Sequence, residues 1–386
     1  MSLGQFSNLA ERLVGQEMFF ILDRAKQIEE AGGKVRHLEL GDPGLIADAT
    51  IIKHTYDFLR RGYYHYTSSS GEESLKKAIS ALIKNNLNNN VDYSNIVVSP
   101  ANFLITNFLS LVCDKGDSVF ILTPAFPTYF ASASMLGLNV IEFPCFPENG
   151  YLPDESIFET LEKTNPKAIF INSANNPTGA VYSKDFLSKI VSFAKDKNIW
   201  LLSDETYALL TYEDEFYSML DFDCDNIVVI SSLSKIFSIP GYRLGFQVSS
   251  SDEFNAYSNK FLSTTLSCCP PFLQLGCSSF LENKNLVDQV IQDVKKEYRN
   301  RINTLFDEVP KLESIIKKPK SAFYLFIPIS KNVNGNNFCL DLLNEDKIAV
   351  TPGIAFGKDF SSFLRVAFCG VFDDIAHGLK SIVSKV

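Results

Sequence analysis

Ile227-Val-Val-Ile-Ser-Ser-Leu-Ser-Lys-Ile-Phe-Ser-Ile-Pro-Gly-Tyr-Arg-Leu-Gly245 begins as a short β-branched run and ends in a cluster of hydroxyls and cations. The four residues from Ile227 to Ile230 have the length and composition of a buried strand. Lys235 follows directly, with Ser232 and Ser234 before it and Arg243 after it. An amine held at the tip of such a strand, desolvated and near another cation, gives up its proton more easily and becomes a usable nucleophile near neutral pH. The hydroxyls and the guanidinium supply donors for a phosphate. Taken alone, a Ser-x-Ser-Lys is more often a surface turn than a site.

Two further segments change that reading. Asn175-Asn-Pro-Thr-Gly179 follows the apolar run Ala168-Ile-Phe-Ile-Asn172, and Asp204-Glu-Thr-Tyr207 follows Ile199-Trp-Leu-Leu-Ser203. Three polar clusters thus stand in order, each at the end of a short apolar strand. An imine-forming lysine among phosphate donors suits a phosphorylated aldehyde and points to pyridoxal phosphate.

Outward from these clusters, β-rich runs at 96–99, 118–122, 138–143, 167–172, 199–203, 227–231 and 244–248 alternate with helical patterns at 101–113, 127–137, 154–164 and 184–197. Such alternation predicts a mostly parallel sheet with helices on both faces. Ligands in such sheets sit beyond the carboxyl ends of the strands, where Asn176, Asp204 and Lys235 fall. After about residue 285 the pattern shifts to a long charged helix, Asp288 to Phe306, and short strands around 323–327 and 363–368. A smaller domain is expected there. The helical stretch from Glu17 to Ala31 stops at Gly32-Gly33, and the tract 84–90 is expected to be a helix end running into a loop.

Asn-Asn-Pro-Thr-Gly, Asp-x-x-Tyr and Ser-x-Ser-Lys with Gly-x-Arg-x-Gly, in this order, resemble the class I/II aminotransferases of the aspartate-aminotransferase-like, fold type I pyridoxal-phosphate group. The likeness runs from about Leu38 to Phe368. It implies an α/β fold: a large domain, 46–284, with a mostly parallel seven-stranded sheet covered by helices, and a smaller α+β domain from 1–45 and 285–386. It also implies ping-pong transfer of an amino group between an α-amino acid and a 2-oxo acid. In that scheme the freed Lys235 amine moves the Cα proton. The same scaffold hosts lyases, synthases and decarboxylases, so a different reaction on an amino acid stays open.

The resemblance implies roles residue by residue. Asp204 would face the cofactor's ring nitrogen and keep it protonated; by itself an Asp after a strand is equally a helix N-cap. Asn176 and Tyr207 would donate to the phenolic oxygen, against ordinary turn chemistry for the first and a core tyrosine for the second. Ser232, Ser234 and Arg243 would hold the phosphate together with backbone N–H groups of Ala101 and Asn102. The chain departs from the family there, since Ser99-Pro-Ala-Asn102 replaces a glycine-rich turn and Pro100 has no N–H. Phe126 in Pro124-Ala-Phe-Pro-Thr-Tyr129 matches the stacking aromatic, although one phenylalanine among 32 is ordinarily core. Tyr66 in Tyr66-Thr-Ser-Ser-Ser-Gly71 resembles the tyrosine that crosses a twofold interface; the alternative is an aromatic surface turn with Tyr63 and Tyr64. A homodimer with shared active sites is the implication. Arg365, alone in an apolar strand, would bind the substrate α-carboxylate, with a buried ion pair as the competing account. Gly41 would let that carboxylate meet backbone.

Composition excludes other classes. The formal net charge of −9, with no dense Lys/Arg stripe, argues against nucleic acid. No secretory signal precedes the first helix, and no apolar run reaches the ~20 residues of a membrane span, so a cytoplasmic protein is expected. Eight cysteines without a repeating spacing suit free thiols, and with four histidines no metal site is expected. No motif marks a receptor for a second carboxylate, which predicts a neutral, apolar or aromatic amino-acid substrate.

Overall fold

The structure is a computed structural model and describes residues 6–212, 216–331 and 333–386. Its strands are, in chain order, β1 (Arg36–His37), β2 (Ile96–Ser99), β3 (Ser118–Thr123), β4 (Asn139–Pro144), β5 (Ala168–Ile171), β6 (Trp200–Asp204), β7 (Ile227–Ser232), β8 (Gly245–Val248), β9 (Tyr324–Pro328), β10 (Ile348–Ala349), β11 (Thr351–Pro352) and β12 (Phe363–Ala367). β2 to β8 form one seven-stranded sheet in the order β2-β8-β7-β6-β5-β3-β4. Only β8 runs against its neighbours. The expected sheet is therefore the observed one, with every strand within a residue or so of its predicted bounds.

The runs are apolar throughout because both faces are covered. Along β3, Val119 and Ile121 face one core, with Phe170, Leu202, Val228 and Ile230, while Phe120 and Leu122 face the other, with Ile169, Ile171, Leu201 and Val229. Side chains alternate across a strand, so a strand buried on both faces needs apolar residues at successive positions. The first core is closed by the helix Ala101–Val112, which buries Leu104, Ile105, Phe108, Leu109 and Val112 at helical spacing. Each such side chain contributes about 1.5–3 kcal/mol of burial free energy.

A second sheet, in the order β11-β12-β9, is antiparallel, and β1 pairs with β10 in parallel. The helix Lys284–Glu308 buries Val287, Ile291, Val294, Tyr298, Ile302 and Leu305, steps of three and four that set one face inward. Near the N-terminus the helix Glu17–Glu30 ends before Gly32, whose φ of +89° a side chain would resist. The helix Glu73–Leu87 ends at left-handed Asn88, inside the polar tract expected to be a helix end.

The sheet's connections set its functional edge. β2, β3, β5, β6 and β7 all end on one side, and the segments at those ends are Pro100–Asn102, Pro124–Phe126, Asn172–Asn176, Asp204–Tyr207, which starts with the last residue of β6, and Ser232–Lys235, which starts with the last residue of β7. No helix of the described residues is long and apolar enough to cross a membrane.

Candidate active site

A cavity of about 410 Å³ opens at this edge, within the roughly 300–1,000 Å³ of small-molecule sites. Lys235, Asp204, Tyr207, Asn176, Phe126, Ser232, Ser234, Arg243, Ala101, Asn102, Gly41 and Arg365 all line it. Tyr66 does not: it stands 90% exposed on the surface. Lys235 sits in the single helical turn Leu233–Ile236, started by Ser232, whose hydroxyl accepts from the Ser234 N–H. Its Nζ donates to the Gly41 carbonyl at 2.7 Å. Asp204 ends β6 with its carboxylate buried; Oδ2 accepts from the Tyr129 hydroxyl at 2.8 Å and Oδ1 from the Thr206 N–H at 3.0 Å. Both of these donors are neutral.

One end of the cavity is built from backbone as much as side chain. Pro100 caps the helix Ala101–Val112 without a side-chain bond, and its carbonyl accepts from Phe103 and Leu104. The proline's missing N–H thus falls at the cap, and Ala101 and Asn102 bring the first-turn N–H groups to the cavity. Gly245 lets the helix start this close to β8, since a Cβ there would lie 2.8 Å from the Ala101 nitrogen. Arg243 adopts a left-handed backbone with φ of 56° and is exposed.

Arg365 occupies β12, the central strand of its sheet, paired with Thr351 on one side and Phe326 on the other. It is 1% exposed. Its guanidinium donates to Asn176 Oδ1 at 3.2 Å and to the Glu39 carbonyl, and lies over the Tyr324 and Phe356 rings at 4.6 and 4.9 Å. Its Nε has no partner, and no carboxylate of the described residues pairs with it. A buried cation without an anion is costly, so this geometry favours an anionic ligand over the structural ion pair.

The model of the family "Aminotransferase class I and II" matches residues 48–382. The chain belongs to the class I and II aminotransferases. An aspartate aminotransferase of Thermotoga maritima is 32% identical over 366 residues, 93% of each chain. A (5-formylfuran-3-yl)methyl phosphate transaminase of Methanocaldococcus jannaschii is 31% identical over 385 residues, 97% of this chain and 98% of its own. The crystal structure of an aspartate aminotransferase from Thermotoga maritima superposes with a TM-score of 0.88 at 29% identity, covering 98% of this chain and 99% of that one. The protein is accordingly an enzyme, a transaminase, of the fold type I architecture.

In this aminotransferase the charges of the site are tuned by burial. Burial lowers the affinity of the Lys235 amine for its proton, and the Arg365 and Arg243 guanidinium groups lower it further, opposed by Cys369 and Asp42. Burial raises the Asp204 carboxyl above its usual range, against the pull of Thr206 and Tyr129. Tyr207 is raised well above an ordinary phenol, by burial first and by Tyr324 next.

Several cavity residues escaped the sequence reading. Tyr324 on β9 shares a 2.7 Å hydrogen bond with the Tyr207 hydroxyl. Asn172, just past β5, donates to the Asp204 carbonyl and accepts from the Asn176 N–H, tying two of the motifs together. Gln16 also reaches the cavity from the N-terminal segment. Asn172 carried a signal, a polar residue closing an apolar run; Tyr324 carried none beyond its place in a strand.

Proposed function

We propose that this transaminase works with pyridoxal 5′-phosphate held in the cavity, and that Lys235 is its attachment point. The residues fit that group. Asp204 is a buried carboxylate with only neutral donors, suited to a protonated ring nitrogen. The uncapped turn at Ala101 and Asn102, with Ser232, Ser234 and Arg243, suits a phosphate. Phe126 offers a ring for stacking, and Tyr207 and Asn176 offer donors for a phenolic oxygen. When bound, pyridoxal phosphate supplies an electron sink for the carbanion formed at the substrate Cα.

The chain's own residues do the rest. Arg365 binds the α-carboxylate as a planar fork and, with Asn176, orients Cα toward Lys235. The Lys235 amine, already poor at holding its proton, takes the one at Cα. The single observation that carries this reading is that Lys235, Asp204 and the unpaired Arg365 line one cavity. Borohydride reduction of the loaded enzyme followed by peptide mapping tests it: the pyridoxyl group is expected on Lys235, and a label on any other lysine overturns the assignment.

The substrates of aminotransferases are amino acids and 2-oxo acids. For this chain we propose a neutral side chain. Lys235, Arg243 and Arg365 are the cationic residues lining the cavity among the described residues, and Met18, Phe19, Leu40 and Ile105 give it an apolar wall. An unpaired carboxylate buried there costs several kcal/mol. We also propose a homodimer in the cytoplasm. Tyr66 is exposed beside Tyr63 and Tyr64, and the helix Ala49–Arg60 exposes Ile52, Tyr56 and Leu59, a face suited to a second copy that would receive Tyr66 at its phosphate. All eight cysteines are free thiols, which suits a reducing compartment. Residues 46–284 would form the cofactor domain, and 1–45 with 285–386 the smaller one.

A further inference from the structure

We infer that Tyr324 is a positioning residue for transamination: its hydroxyl aims the Tyr207 hydroxyl into the cavity, and its ring is the platform on which Arg365 lies. The inference rests on the cofactor reading above. The two tyrosine hydroxyls are 2.7 Å apart and buried, although 117 residues separate them in sequence. A hydroxyl carries a single hydrogen. If Tyr207 directs its own outward to an acceptor in the cavity, the hydrogen between the two oxygens is the one from Tyr324. Such a chain of donors strengthens the outward bond in a site shielded from water.

The same ring lies 4.6 Å from the Arg365 guanidinium carbon, and the Phe356 ring lies 4.9 Å from it. With its Nε unpartnered and its fork held by neutral oxygens, Arg365 is kept in the cavity by these rings as much as by hydrogen bonds. Gly41 admits the arrangement. A Cβ at that position would stand 1.7 Å from the Tyr324 hydroxyl oxygen. The glycine therefore serves the tyrosine pair, and its carbonyl meanwhile accepts from Lys235. One side chain on β9 thus connects the group facing the cofactor with the group facing the substrate carboxylate.

The two roles separate by substitution. Tyr324→Phe keeps the ring and removes the hydroxyl; Tyr324→Met removes both in a flexible side chain that refills the space. Each variant and the wild type are loaded with pyridoxal phosphate. The pH titration of the bound cofactor's visible absorbance, the KM for several amino acids and the Tm are then measured. Donation to the phenolic oxygen favours the deprotonated chromophore, so Tyr324→Phe is expected to raise the titration midpoint by roughly half to one pH unit. Its KM values should stay within about twofold of wild type. Tyr324→Met should show the same midpoint shift and a KM raised about fivefold or more for every amino acid alike. A wild-type band that titrates, with a Tyr324→Phe midpoint equal to it, overturns the hydroxyl role. A Tyr324→Met enzyme with wild-type KM overturns the platform role. A loaded wild type with no bound visible band overturns the cofactor reading itself, a result distinct from either.

Discussion

Arg365, the proposed carboxylate receptor, is fully buried in the middle of an apolar sheet, with neutral oxygens, two rings and one idle nitrogen around it. On that proposal, replacing it by glutamine would leave the substrate carboxylate without its fork, and the apparent binding constant should rise roughly 30-fold or more. The rise should be equal across a panel of amino acids, because the α-carboxylate is common to all. An unchanged constant would make the arginine structural. Asp204→Asn removes the carboxylate from a pocket of neutral donors, and kcat should fall on the order of 10³-fold with Tm held within a few degrees. Thermal melts beside steady-state rates check both halves. Lys235, Asp204 and Arg365 were readable from the sequence because each is a charged residue at or within an apolar strand, a position that needs a reason. Tyr129 and Tyr324 were not. Both are aromatics in strand or helix patterns, and their partners, Asp204 and Tyr207, lie 75 and 117 residues away. Only the fold brings them together.

At the scale of elements, strand patterning carried the seven-stranded sheet almost to the residue, because strands buried on both faces must be apolar at successive positions. The short strand β1 left no such signal. It is two residues long, and its pairing with β10 depends on a partner more than three hundred residues away. The segment that follows it matters to the site, since the Glu39 carbonyl accepts from Arg365 and the Gly41 carbonyl from Lys235. His37 anchors that segment, with Nδ1 2.8 Å from the buried Glu39 carboxylate and Nε2 3.2 Å from Glu29. The Glu39 hydrogen bond, outweighing burial, raises the His37 pKa from 6.5 to about 9. A group whose folded pKa is raised adds stability that is complete below its unfolded value and lost as pH climbs through the folded one. The contribution is therefore whole below pH 6.5 and gone above about 9. Wild-type Tm should fall more steeply between pH 7 and pH 10 than that of His37→Gln, as followed by melts across that range; parallel profiles would contradict the coupling. Glu205, raised by burial to about 7, titrates in both proteins and cancels in the comparison.

For the whole molecule, the proposed homodimer would set a second copy over the exposed aromatic turn around Tyr66. Light scattering should give a species of twice the 43.2 kDa chain mass. Mixing Tyr66→Phe chains with inactive Lys235→Ala chains should yield hybrid dimers, in which each intact lysine receives its tyrosine from the partner, and so regain activity above either parent. A fully active monomer would contradict the shared site. What the enzyme does with one substrate and no acceptor separates transamination from the other reactions this scaffold hosts. A transaminase loaded with pyridoxal phosphate and given an amino acid alone should form one equivalent of 2-oxo acid per chain and stop, with the cofactor recovered as pyridoxamine phosphate. Continued product formation without an added 2-oxo acid, with the cofactor recovered as pyridoxal phosphate, would contradict it.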